Sequence, residues 1–156
     1  MTRILSDSDL LRLNAHIDAG TLSEFHATPK KRRKNEESRA QQAVVRWWDM
    51  ACKQWGCQKW MLFAFPNGGR RDALTGFLMQ KEGVRSGIPD LMLCVPHAQR
   101  SGLFLEMKTA TGSLSPEQRT ILPILQTLGY QTAVCRSARE AINVIEAYLN
   151  APAARA

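Results

Sequence analysis

Residues 87–108 have the sequence GIPDLMLCVPHAQRSGLFLEMK, in which two short apolar runs are separated by a polar turn. The runs LMLCV and LFL have the length of strands that are buried on both faces. Side chains alternate along a strand, so Glu106 and Lys108 should project from the same face. Asp90 opens the first run. The sequence therefore predicts that these three charged groups meet at one edge of a sheet.

Such a convergence of charges predicts a cation site. Burying two carboxylates and an ammonium costs on the order of several kcal/mol per ion unless they neutralise one another or hold a cation. Oxygen ligands suit Mg²⁺ or Mn²⁺, which leaves positions for water and phosphate. Such a site could hydrolyse a phosphodiester. Lys108 would orient or deprotonate the attacking water, or offset the negative charge that develops on the phosphate. The alternative is a structural Asp90 and a Glu106–Lys108 pair on a solvated edge, which the apolar runs disfavour.

Several blocks of sequence point to one nuclease family. Pro89-Asp90 followed by Glu106-x-Lys108 resembles the signature of the PD-(D/E)xK nucleases. The flanking blocks are similar to the VRR-NUC (virus-type replication-repair nuclease) family within them, over about residues 36–149. These blocks are Pro66-Asn67-Gly68-Gly69-Arg70, Gly83-Val84 with Gly87-Ile88-Pro89-Asp90-Leu91, Leu105-Glu106-Met107-Lys108, Ser115-Pro116-Glu117-Gln118 and Leu128-Gly129-Tyr130. The resemblance implies a restriction-endonuclease-like α/β fold, a three-layer α/β/α arrangement with a central mixed sheet and an αβββαβ core.

The composition is typical of one basic globular domain. The chain has 156 residues, 44% of them hydrophobic and 22% charged, which suffices for one core but is short for two. A net charge of +7 favours a polyanionic partner such as nucleic acid. The four cysteines form no C-x-x-C pair, which favours buried free thiols over a zinc site or disulfides.

The expected location is the cytoplasm of a bacterial or phage-infected cell, the host being implied by the resemblance alone. Residues 1–3 are not followed by the apolar run of a signal peptide. No stretch approaches the length of a membrane span, so no membrane partner is expected.

The chain is predicted to begin with an appended arm. Residues 1–35 form this arm, partly helical or disordered, and are followed by a nuclease domain at 36–150 and a tail at 151–156. The arm ends in the basic run KKRRK at 30–34. This run has the composition of a solvated tether, a nucleic-acid contact or a nuclear signal, and the tether is the default interpretation.

A long helix is predicted from Glu36 to about Gly56, with Asn35 as its N-cap. Glu37 and Gln41 are four residues apart and therefore lie on adjacent turns of one face. In the family, an acidic residue followed by a glutamine at this spacing contributes to the metal site, and these two residues match it. Gln41 is also a candidate DNA contact. Alternatively, Glu37 only complements the helix dipole.

A sharp turn is predicted after a strand at 60–65, because Asn-Gly-Gly follows it. Glycine allows the backbone to approach a phosphate, and arginines can fork onto one. The predicted contacts to the DNA backbone are therefore Asn67, Gly69, Arg70 and Arg71. Any tight turn also prefers these turn residues. Arg85, which follows a short helix predicted at 72–82, is a further candidate.

The last third of the chain is predicted to supply a helix, a strand and a helix. Ser115 begins the first helix, and Gln118 fits both a capping box with Ser115 and the family's glutamine near the attacking water. Pro123 should kink this helix. A strand at 131–135 and a helix capped by Ser137 complete the fold.

The residues and the resemblance together predict a Mg²⁺- or Mn²⁺-dependent DNA endonuclease. The predicted metal ligands are Asp90, Glu106, Glu37 and, by resemblance, the backbone carbonyl of Met107. Lys108 and Gln118 are expected to position the attacking water. The resemblance also implies selectivity for four-way junctions or other branched DNA, a homodimer, and a role in phage or bacterial DNA replication, recombination or repair.

Two other functions remain open at this level. A non-catalytic DNA-binding module could keep the fold, but a degenerate site would normally lack one of Asp90, Glu106 and Lys108. A metal-independent RNA-binding protein is favoured only by the basic arm. It would also be expected to contain the aromatic-rich strand of the common single-strand RNA modules, which this sequence lacks.

Overall fold

The computed structural model of the chain describes residue 15, residues 31–66 and residues 78–152, with side chains from residue 36 onward in the first long range. The chain divides between Lys34 and Asn35, and all the contacts discussed below belong to the second part. Nearly all of the predicted arm lies outside the described residues. The domain limits at 36–150 and 151–156 stay predictions.

A four-stranded mixed sheet forms the centre of this part of the chain. Strands β1 (Leu62–Ala64), β2 (Leu91–Leu93), β3 (Leu103–Met107) and β4 (Gln131–Cys135) lie in that order across the sheet. The first three are antiparallel neighbours, whereas β4 runs parallel to β3. Residues 87–108 therefore contain two neighbouring strands, β2 and β3, joined by a turn, as predicted.

Helices flank the sheet on both faces. The long helices are α1 (Lys31–Ala51), α2 (Pro116–Thr127) and α3 (Ala138–Leu149). Residues 78–81 are also helical, and they are the described part of the helix predicted at 72–82. The predicted three-layer α/β/α arrangement is confirmed, with α1 and α3 on one face and α2 on the other. Within the described ranges, no helix has the length and hydrophobicity needed to cross a bilayer.

Two element boundaries differ from the prediction. Asn35 lies inside α1 and is not its N-cap, because the preceding lysines and arginines are good helix formers and extend the helix. The strand predicted at 60–65 is shortened to β1, since Lys59–Met61 form a 3₁₀ turn. Trp48 Nε1 donates to the Lys59 carbonyl at 3.0 Å and so ties this turn to α1.

The dry core lies between the sheet and the helices α1 and α3. Every second residue of β2 and β3 points into it, and each of these side chains is at most 1% exposed: Leu91, Leu93, Leu103, Leu105 and Met107. Val44 and Trp48 from α1 and Ile145 from α3 close this core. Burying one leucine side chain contributes roughly 1.5–3 kcal/mol, so this face supplies much of the stability.

Helix α2 packs directly on the loop that leads into Asp90. A Cβ added at Gly87 would lie 2.7 Å from Cβ of Glu117 and 2.8 Å from Cδ1 of Ile121. Gly87 also has a φ of 85°, which side chains rarely adopt. Only glycine fits here, and the close approach fixes the entry to β2.

Candidate active site

The antiparallel register of β2 and β3 places Asp90 beside the end of β3. Leu91 pairs with Leu105, so the residue before β2 lies opposite Glu106 and Met107. The backbone N–H of Met107 donates to Oδ2 of Asp90 at 2.8 Å. This hydrogen bond fixes the Asp90 carboxylate at the sheet edge predicted from the sequence.

Glu106 is the most deeply buried acidic side chain of the site, with 1% exposure. Its Oε1 accepts from Gln118 Nε2 at 2.6 Å and forms an ion pair with Lys108 Nζ at 2.5 Å. Its Oε2 is buried and has no hydrogen-bond partner among the described residues. An unpartnered buried carboxylate oxygen is costly in apolar surroundings, so this atom fits a site for a cation.

Gln118 performs both of its predicted contacts at once. Its Oε1 accepts from the Ser115 backbone N–H at 2.9 Å, and its own N–H donates to Ser115 Oγ at 3.2 Å. The capping box at the start of α2 therefore leaves the amide Nε2 free to reach Glu106. The helix cap and the site share one side chain.

Glu37 reaches the same edge of the sheet from α1. Its Oε1 accepts from the backbone N–H of Thr109 at 3.1 Å, one residue beyond Lys108. Glu37 therefore lies at the same end of β3 as Asp90, whose carboxylate accepts from the Met107 N–H. The structure thus brings together all five side chains that the sequence predicted to be catalytic: Asp90, Glu106, Lys108, Gln118 and Glu37.

Burial and mutual repulsion disfavour the ionised acids of this site. Burial raises the pKa of Asp90, while the Met107 N–H and Lys108 act against that rise. Burial also raises the pKa of Glu106; the hydrogen bond from Lys108 opposes it, and the Asp90 charge adds to it. A divalent cation held by Asp90 and Glu106 would reduce this penalty, because it would stabilise both charged forms.

The arrangement fits an ion that shares its coordination with other oxygen ligands. Among the described residues, no three His, Cys, Asp or Glu side chains are grouped so that they could hold a metal ion. Asp90 and Glu106 are a pair, and Mg²⁺ usually takes one or two carboxylates with waters and phosphate oxygens. Metal ligation by Glu37 and by the Met107 carbonyl stays a prediction.

The predicted DNA contacts are less well defined by the structure. Asn67, Gly69, Arg70 and Arg71 lie outside the described residues. Arg85 is exposed, and its Nη1 donates to the Gln80 carbonyl at 2.7 Å, at the end of the helical segment 78–81. Gln41 lies on α1 one turn beyond Glu37 and is half-buried.

Two groups of the site were missed by the sequence reasoning. One is the Thr109 backbone N–H, which holds Glu37. The other is Arg136, whose Nη1 donates to the carbonyls of Thr109, Ala110 and Gly112. No sequence signal pointed to either group, because the parallel pairing that brings the strand ends before Lys108 and Arg136 together is seen only in the structure.

A mixed sheet between helices, with two acids and a lysine at one edge, defines an α/β nuclease fold. The chain matches the VRR-NUC domain over residues 35–139. It is also similar to a solved structure described as a VRR-NUC domain protein, with a TM-score of 0.59 and 21% identity over 72% of this chain and 87% of that one. None of the curated proteins compared with the chain matches it. The chain belongs to the VRR-NUC family and is a DNA-processing protein of the nuclease class.

Proposed function

We propose that this protein is a Mg²⁺- or Mn²⁺-dependent DNA endonuclease that selects branched DNA, including four-way junctions. The observation that supports this most is the state of Glu106. One of its oxygens is engaged by Lys108 and Gln118, while the other is buried and has no hydrogen-bond partner within residues 36–66 and 78–152. A buried carboxylate oxygen in this state favours a bound cation, because the cation would offset the cost of its burial.

Asp90 and Glu106 would hold the ion in this proposal, and Glu37 would complete the site. A bound divalent cation would supply Lewis-acid activation of water and stabilisation of charge on the scissile phosphate. Glu106 keeps the Lys108 ammonium at the site, where it can orient the attacking water or offset negative charge. Gln118 fixes the direction of Glu106 from the rigid first turn of α2.

The proposed partner is DNA, and the proposed assembly is a homodimer. The net charge of +7 supports a polyanionic ligand. Two sites related by a two-fold axis would suit two symmetric strands of a junction. Multi-angle light scattering at micromolar concentration should give the mass of two chains, and a monomeric mass would contradict the dimer.

The proposed setting is the cytoplasm of a bacterial or phage-infected cell, where the protein would act in DNA replication, recombination or repair. All four cysteines are free, and three of them are buried. This supports a reducing compartment, in which thiols persist.

Cleavage of labelled DNA tests the proposal directly. Four-way junction, flap, linear duplex and single-stranded DNA are incubated with the protein in Mg²⁺, Mn²⁺ or EDTA. Asp90→Asn and Lys108→Met remove the predicted functions. Asp49→Asn and Lys53→Met make the same charge changes at exposed positions and serve as matched controls.

We expect metal-dependent cutting that is fastest on branched DNA, falls at least about 10²-fold in both site variants and persists in both controls. Tight binding of DNA without cutting in any metal would instead indicate a non-catalytic DNA-binding module. Equal cutting of all four substrates would contradict the proposed selectivity for branched DNA, while the proposed nuclease activity would stand.

A further inference from the structure

Arg136 is the first residue after β4, and its guanidinium binds the loop that follows the catalytic strand. This segment, residues 109–112, is called the 109–112 loop below. Nη1 of Arg136 donates to the carbonyls of Thr109 at 3.0 Å, Ala110 at 3.3 Å and Gly112 at 2.8 Å. Hydrogen bonds from a charged donor are about twice as strong as neutral ones, so Arg136 adds to the order that the loop gains from its own hydrogen bond, Gly112 N–H to the Thr109 carbonyl at 3.0 Å.

The same loop contacts the site from its other side. The Thr109 N–H donates to Glu37 Oε1 at 3.1 Å, while the Thr109 carbonyl accepts from Arg136. Thr109 is buried, with 6% exposure. Lys108 directly precedes Thr109, and its backbone N–H donates to the Cys135 carbonyl at 2.9 Å. Arg136 therefore lies one residue away from the groups that fix both Glu37 and Lys108.

We propose that Arg136 is a positioning residue of the nuclease site, which acts on Glu37 and Lys108 through the 109–112 loop. This inference rests on the proposed function for its catalytic meaning. Three carbonyls within four residues are held in a single arrangement by one side chain. Without that side chain only the Gly112 N–H would still hold the Thr109 carbonyl, and the loop would open locally more often, as surface loops with few buried apolar contacts do.

The role differs from that of a basic side chain that attracts DNA. A phosphate contact requires only positive charge near the backbone of the nucleic acid, and its loss lowers affinity in a salt-dependent way. A positioning role requires a donor at the place that Nη1 occupies, so Lys at this position, which keeps the charge on a shorter side chain of different shape, should restore it only in part. Arg139, an exposed arginine of α3 three residues further on, offers a matched position for separating the two roles.

The test compares Arg136→Met, Arg136→Lys and Arg139→Met in the full-length chain. Amide hydrogen exchange is measured on peptides that cover residues 108–114, and Mn²⁺ binding is measured by calorimetry, both without DNA. We expect Arg136→Met to speed exchange in the loop about tenfold and to weaken Mn²⁺ binding several-fold, with Arg136→Lys in between. Arg139→Met should match the wild type in both.

Cleavage adds a readout that a purely structural role would not change. Arg136→Met should raise the Mn²⁺ concentration for half-maximal cleavage while its KM for DNA matches that of Arg139→Met, because both variants lose one charge. Wild-type loop exchange in Arg136→Met would overturn the proposal, as would faster exchange with unchanged Mn²⁺ binding. If the wild type cuts no DNA, the nuclease proposal fails, and exchange and Mn²⁺ binding still decide the role of Arg136.

Discussion

The two faces of strand β3 are both buried, but one buries only apolar side chains and the other also buries a charged one. Leu103, Leu105 and Met107 pack into the dry core and are at most 1% exposed. Between them, Phe104 and Glu106 point to the opposite face and are also buried, with 7% and 1% exposure. One strand therefore buries every residue, and only the face toward α2 buries a charge.

The difference shows which face stabilises the protein and which face performs chemistry. Removing leucine side chains from water is favourable without any partner. Removing the Glu106 carboxylate from water is unfavourable, and Lys108 and Gln118 offset only part of that cost, since burial still raises its pKa. Strain of this kind is expected where the charged group is needed for function.

The largest expected effect comes from a cavity in the dry face. Leu105→Ala should lower the free energy of unfolding by about 2–5 kcal/mol, because a fully buried leucine leaves a hole that the core fills poorly. Leu128→Ala, at a position that is 62% exposed, is the control and should change stability by less than about 0.5 kcal/mol. Urea unfolding measures both, and equal losses would contradict the assignment of the core.

A second prediction separates the cap of α2 from the site. Ser115→Ala removes the hydroxyl that caps the helix and should cost about 0.5–2 kcal/mol of stability with little loss of cleavage. Gln118→Ala should cost similar stability and, in addition, about 10²-fold in cleavage rate, since it also frees Glu106. Thermal melting and single-turnover cleavage of the same preparations measure the two effects. Equal cleavage by both variants would show that Gln118 is only a cap.

The smallest expected effect is a gain in stability from removing a charge. Burial raises the pKa of Asp90 in the folded protein, so its contribution to stability is fully present below the unfolded pKa and is lost as pH rises through the folded pKa. An asparagine at this position does not ionise, so Asp90→Asn avoids this loss of stability. It also keeps an acceptor for the Met107 N–H. In EDTA at pH 7 it should therefore melt slightly above the wild type.

That difference should vanish as the pH is lowered below the unfolded pKa, where the wild-type carboxyl is neutral in both states. Melting temperatures across a pH series measure it. Asp49→Asn, which removes an acid at an exposed position of α1, is the matched control. An Asp90→Asn variant that is less stable than the wild type at pH 7 would mean that the charge of Asp90 stabilises the apoprotein.

The sequence predicts which elements form better than it predicts the start of α1 and the length of β1. The alternation in LFLEMK places Glu106 and Lys108 on one face, and the structure pairs them. Ser115 and Ser137 cap α2 and α3 as their side-chain chemistry predicts. Asn35 misleads because capping preference is local, while the basic residues before it are themselves good helix formers.

Contacts between residues that are far apart in the chain leave no local sequence pattern that predicts them. Arg136 follows a strand and binds carbonyls that lie 24–27 residues away in the chain. The Thr109 N–H that holds Glu37 is a backbone group, which any residue but proline would supply. Such contacts become visible only when the register of β3 and β4 is known.

A titration with Mn²⁺ followed by melting temperature tests the central claim most directly, because it asks whether the polar face of β3 holds a cation. The wild type should melt at increasing temperature as Mn²⁺ is added, with a gain of about 2.7 kcal/mol at a hundred times the dissociation constant. The Asp49→Asn control should behave identically, and Asp90→Asn should show no specific shift. An unchanged melting temperature in the wild type, or an equal shift in Asp90→Asn, would contradict the assignment of this face as a metal-dependent nuclease site.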